Sequence, residues 1–145
     1  MSADATKDLA RAIAQDCLAR RIRQVGRVVS GVYERELRPT GVTIAQFNLL
    51  VALACGLGTA KVLSERLQLE KSTVSRNLER MAQLGWIASR SGEDGRSVEL
   101  SLTAAGRGRL RAAHPAWQRA QAAARDVLGP DVLKHLEGLA QALPR

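Results

Sequence analysis

From Leu67 to Gly106 the chain reads LQLEKSTVSRNLERMAQLGWIASRSGEDGRSVELSLTAAG, and no other stretch constrains the fold as tightly. A polar-faced helix comes first, then a turn at Leu84-Gly85, then two short strands joined by a glycine-rich loop holding Asp94 and Arg96. A helix followed at once by a β-wing is a unit suited to reading a DNA duplex, since a helix fits the major groove and a hairpin tip can enter the minor groove. An enzyme pocket has no need of it.

Placed at about 100° per residue, Val74, Leu78 and Met81 share one face of helix 71–84, which must pack inward. Ser72, Arg76 and Arg80 lie roughly opposite, flanked by Thr73 and Ser75, with Lys71 at the helix start. Guanidinium forks suit guanine edges or phosphates, and hydroxyls accept many partners. The exposed helix N-terminus favours a phosphate. Alone, the pattern also describes an ordinary solvated helix, and Glu79 on the same side counts against DNA contact.

The wing changes that balance. Arg96 sits at the hairpin tip, where a side chain can sense the width and negative potential of the minor groove. Asp94, two residues earlier, is placed to hold it by an ion pair. An exposed pair contributes only about 0–1 kcal/mol, so stability is a weak reason for it. Arg90, at the strand end, is a candidate for contact with the DNA backbone. The bland alternative is a charged turn kept polar for solubility.

Composition bounds the rest. The 145 residues suit about one domain, and 46% hydrophobic content is enough for a core. Aromatics are only 3%, so that core must be aliphatic. A formal charge of +8 favours a polyanion partner. Yet residues 59–101 carry 7 basic and 6 acidic side chains and are nearly neutral. The case for DNA therefore rests on where the charges point. No run of about 20 apolar residues predicts a membrane span. MSADATKDLARAIAQDC has no continuous apolar region and carries acids, which argues against a signal peptide. The expected location is the cytoplasm, where Cys17 and Cys55 should be free thiols. Their spacing matches no zinc motif, and neither metal nor cofactor is expected. His114 and His135 lie far from any acid–base or nucleophile set, so enzymatic activity has no support.

Along the chain, residues 7–38 read as one long helix with an apolar stripe of Leu18, Ile22, Val25, Val29 and Val32. Arg20, Arg23 and Arg27 fall opposite, as a solvated face. Pro39 and Gly41 end the helix. Thr43 to Gln46 fits a capping box, opening a helix to about Ala54 with Phe47, Leu50 and Val51 inward. Cys55 reads as core. Thr59 caps a helix over 60–67, and the short link 68–70 makes a helix-turn-helix with 71–84. Residues 86–89 and 97–102 read as strands, with Val98, Leu100 and Leu102 on the inner face. Thr103 caps a helix over about 104–127, which Pro115 should kink near His114. Gly129-Pro130 stops it, and a last helix, 131–143, aligns Leu133, Leu136, Leu139 and Leu143. The terminal stripes exceed what a small core needs, which predicts a helical dimer.

The ordered set of motifs resembles the MarR family of winged-helix transcription regulators. The matching segments are Gly41-Val-Thr-Ile-Ala-Gln-Phe47, Leu69-Glu-Lys-Ser-Thr-Val-Ser-Arg76, Leu84-Gly-Trp-Ile87, Asp94-Gly-Arg96 and Leu102-Thr-Ala-Ala-Gly106. They span about residues 15–110. The fold class expected is mainly α with a small β-wing (α+β): a winged helix-turn-helix over 41–103, with N- and C-terminal dimerisation helices in 1–40 and 104–145. The resemblance implies a homodimer whose two recognition helices enter major grooves about one turn apart on a pseudo-palindromic operator. By position, Ser72, Thr73, Ser75, Arg76 and Arg80 match recognition-helix positions and Arg96 the wing arginine. Gly95 stands where the family usually has a second basic residue, and the loop is about one residue short. Both reduce the wing's charge and reach.

The family pattern further implies repression relieved by a small aromatic or phenolic ligand, bound between the dimer helices and the DNA-binding lobe. Relief needs unequal affinity for two lobe spacings. Trp117, His114 and Arg27 are candidates to line that cleft, against the plainer reading of core or surface residues. Some relatives instead sense peroxide through a first-helix cysteine, which makes Cys17 a candidate redox thiol, with Arg20 and Arg21 near it. Such thiols are commonly supported by a tyrosine pair; this helix has only Tyr33, and Cys17 is about two residues out of register. A helical dimer acting as an interaction protein without DNA is the alternative of another class. It explains the stripes but not Arg76, Arg80 and the wing.

Overall fold

Where one long N-terminal helix is expected, the chain forms two. The computed structural model describes residues 3–92 and 95–142. In it, α1 (Ala3–Asp16) and α2 (Leu18–Leu37) are separated at Cys17, whose ψ of 103° leaves the helical range. No proline or glycine marks the break. Arg20 donates to the Ala14 carbonyl at 2.7 Å and Arg21 to the Gln15 carbonyl. Guanidinium groups thus satisfy carbonyls that lose their amide partners at the end of α1.

A 3₁₀ turn, Arg38–Thr40, closes α2, and Gly41 takes the left-handed φ of 71° that the reversal requires. The capping box of α3 (Ile44–Ala54) forms as expected: Gln46 N–H donates to Thr43 Oγ1 at 3.2 Å, and Thr43 N–H to Gln46 Oε1 at 3.1 Å. Glu34 of α2 accepts the Ile44 N–H at 3.1 Å, tying the start of α3 to α2. Phe47 and Leu50 are buried, but Val51 is exposed at the lip of a surface cleft. Cys55 is exposed as well, because it lies past the last turn of α3 and not on its inner face.

Thr59 caps α4 (Ala60–Leu67), accepting the Val62 N–H. Gln68 ends it at φ 50°, and after Leu69 and Glu70 comes α5 (Lys71–Gln83). Strands β1 (Ile87–Ser91) and β2 (Val98–Leu102) pair antiparallel, with Ile87 opposite Leu102 and Ser91 opposite Val98. Leu102 is buried and Leu100 partly so, but Val98 is exposed because its end of the hairpin runs beyond the core. Leu100 N–H donates to the Gly58 carbonyl at 2.7 Å, which stitches the turn before α4 to β2.

Thr103 caps α6 (Ala104–Ala142) through the Gly106 N–H. The helix runs on through Pro115 without leaving helical dihedrals. Among residues 104–142 only Gly129 departs from helical dihedrals, at φ 75° and ψ 163°. Pro115 lies on the exposed face, where water can reach the carbonyl it leaves unpaired. Small residues at Ala113, Ala116, Ala120 and Ala124 are buried along α6, where α2 packs against it. The aliphatic core joins Leu37, Leu49, Leu50, Leu63, Val74 and Met81. By contrast Leu18 and Ile22 are 69% and 70% exposed, and Val25, Val28, Val127, Leu136 and Leu139 are open too. Leu143 lies outside the described residues.

Candidate nucleic-acid interface

Burial of Val74, Leu78 and Met81 fixes how α5 is turned. Lys71, Ser72, Ser75, Arg76 and Arg80 are exposed as a result, with Thr73 half-buried beside them. Arg76 Nε donates to the Ser72 carbonyl at 3.2 Å, and Asn77 to the Thr73 carbonyl at 2.8 Å. No side chain caps the N-terminus of α5, although Glu70 stands in the cap position. Sequence reasoning passed over Asn77, whose amide lies partly buried along the same helix.

Besides the exposed Val98, the wing differs from expectation at Arg90. Arg90 does not reach out alone: it is bound to Glu99 across the hairpin, at 2.8 Å through Nε and 2.5 Å through Nη2. The pairing follows from register, since Arg90 and Glu99 are direct cross-strand partners. Alternation along β2 marked Glu99 as outward but not as opposite Arg90. At the tip, Gly95 N–H donates to the Gly92 carbonyl and Gly92 N–H to the Ser97 carbonyl, with Gly95 at φ 65°. Arg96 is exposed there. Asp94 lies outside the described residues, and the expected ion pair with it.

A cleft of about 560 Å³ opens between α3 and α6, lined by Phe47, Asn48, Val51, Leu110, Arg111, His114 and Trp117. Trp117 stacks on Phe47 at 6.3 Å and on His114 at 5.8 Å between ring centroids. His114 and Trp117 are therefore brought together, while Arg27 is not: it lines a separate recess with Cys17, Arg20 and Arg23. Arg111 and Asn48, the cleft's other polar groups, were missed because neither belongs to a motif. Tyr33 donates its hydroxyl to Gln121 of α6. Burial raises its phenol above the usual tyrosine value, opposed in part by Arg125. Among the described residues no cluster of His, Cys, Asp and Glu could hold a metal, and no helix is long and apolar enough to cross a membrane.

Helix α4, a three-residue link, helix α5 and a two-stranded wing define a winged helix-turn-helix protein. The comparisons with known proteins narrow the class, and the chain belongs to the MarR family of transcription regulators. The MarR family model matches residues 40–97. The solved structure of the M. tuberculosis transcriptional regulator MosR in complex with DNA is 35% identical, at a TM-score of 0.74 over 88% of this chain and 96% of that one. A mutant of E. coli MarR complexed with operator DNA is 25% identical, at a TM-score of 0.79 over 91% and 97%. The HTH-type transcriptional regulator YwoH of Bacillus subtilis is 32% identical over 87 residues, which make up 59% of this chain and 64% of YwoH. The match thus spans under two thirds of that relative. Regulators of this family and fold are not enzymes.

Proposed function

We propose that the chain is a sequence-specific DNA-binding repressor. It works as a homodimer on a pseudo-palindromic operator and is released by a small ligand. The observation that carries the reading is the outward face of α5, where Ser72, Ser75, Arg76 and Arg80 stand clear of the core, together with the exposure of Arg96 in the wing. Solved DNA complexes of similar chains support it. In this reading residues 41–103 are the DNA-binding lobe, and 1–40 with 104–145 dimerise through the open apolar faces of α2 and α6. Lys71, Ser72, Thr73, Ser75, Arg76 and Arg80 enter the major groove, and Arg96 the minor groove. Arg90, held by Glu99, contributes little. The protein acts in the cytoplasm.

The ligand reading rests on the cleft, whose apolar and aromatic walls with one guanidinium, one imidazole and one amide suit a planar aromatic molecule bearing an acidic group. A peroxide-sensing role for Cys17 has less behind it. The thiol is only half-exposed, and the hydroxyl of Tyr33 is committed to Gln121.

Titration on random duplex at several salt concentrations tests the DNA reading. Affinity should fall steeply with salt, and Arg96→Ala should weaken binding to selected duplexes while leaving the dimer intact. No measurable binding at low salt would overturn it and favour an interaction protein without DNA.

A further inference from the structure

Among the basic side chains, Arg109 is held by two elements other than its own. From α6 it donates through Nη1 to the Thr40 carbonyl at 2.9 Å, in the turn that closes α2. Its guanidinium carbon also lies 5.1 Å from the centroid of the Trp86 ring. Trp86 links the reading helix to the wing. Its N–H donates to Met81 O in the last turn of α5 at 2.9 Å, and its carbonyl accepts the Thr103 N–H at 3.0 Å just before α6. One planar group therefore touches the end of α2, the start of the wing and, through its own backbone, α6.

We infer that Arg109 is a positioning residue for DNA reading: it sets the angle at which α5 and the wing leave the flanking helices. The inference rests on the DNA-binding function proposed above. A guanidinium can lie flat against an indole while one edge donates to a carbonyl, and that double demand fixes its plane. Rotating α6 against the lobe breaks one contact or the other. Leu110 and Arg111, the next residues of α6, line the aromatic cleft. A molecule wedged there moves the same turn of helix that carries Arg109. The side chain thus links the helix that lines the cleft to the residue that follows the reading helix, and is not itself part of the cleft lining.

The distinguishing property is spacing, not affinity alone. If Arg109 sets the lobe angle in each protomer, it sets the distance between two recognition helices. Duplexes selected by the wild-type chain from a random library would be remade with one or two base pairs added to or removed from the centre. The wild type should prefer the selected spacing. Arg109→Gln should reduce that preference by roughly two- to thirtyfold, the range seen when a coupling residue outside both sites is changed. Its affinity for unrelated duplex at low salt should stay unchanged. Arg109→Lys keeps the charge but not the planar fork that serves both the Thr40 carbonyl and the Trp86 face, and should resemble the Gln variant. A Lys variant that behaves as wild type, or a Gln variant that loses affinity equally at every spacing, overturns the inference. So does a lowered melting temperature with spacing preference intact. Failure of the wild type itself to bind any duplex removes the DNA reading, and the inference with it.

Discussion

Two glycines two residues apart in α6 show how narrowly local geometry decides a substitution. A Cβ on Gly106 would lie 2.0 Å from the Trp86 carbonyl oxygen, whereas a Cβ on Gly108 meets nothing within 4 Å. The obstacle at Gly106 is backbone, so it cannot swing aside. Gly106→Ala should destabilise the fold by about 1–3 kcal/mol or more, while Gly108→Ala should stabilise it by roughly 0.5–1 kcal/mol through helix propensity. Urea unfolding of the pair checks both signs. Arg76 makes a different kind of residue-scale claim. Its guanidinium is exposed and lightly held by its own helix. Arg76→Ala should cost about 1–3 kcal/mol of discrimination between selected and scrambled duplexes if it makes a bidentate base contact. Competition titrations read this directly; equal loss on both duplexes would reassign the side chain to phosphate.

At the scale of elements, the wing and the α2–α6 pair each offer a test. Glu99 neutralises Arg90, so Glu99→Gln should tighten binding to unrelated duplex and steepen its salt dependence by up to about one charge per protomer. Between α2 and α6, Tyr33 links to Gln121 from a partly buried site that raises its phenol pKa. An unfolded tyrosine titrates near 10. The folded state therefore favours the protonated phenol, and its contribution is full below that pH and lost as pH rises through the raised folded value. The wild-type melting temperature should fall faster above about pH 10 than that of Tyr33→Phe.

Legibility in the sequence divides along the same lines. Caps were readable because Thr43, Thr59 and Thr103 act on amides three residues away. The exposed face of α5 was readable because three apolar residues at helical spacing fix its rotation. The break at Cys17 was not, since it depends on arginines reaching back six residues. Nor was the pairing of Arg90, which needs the hairpin register.

Across the whole molecule, the open apolar residues of α2 and α6 make the strongest physical case for a second copy. Val28 and Leu136 are 50% and 45% exposed, so a monomer would tolerate a charge at either. In a dimer that buries them the charge is costly. Val28→Asp or Leu136→Asp should halve the mass seen by light scattering while the helical circular dichroism persists. Unchanged mass in both would move the interface elsewhere. The bond from Leu100 to Gly58 has another consequence. It ties the middle of β2 to the turn before α4, so β2 is held by the lobe directly and not only through its pairing with β1. A longer or shorter connection between the strands should therefore leave β2 docked on the turn before α4, and the fold beneath it intact.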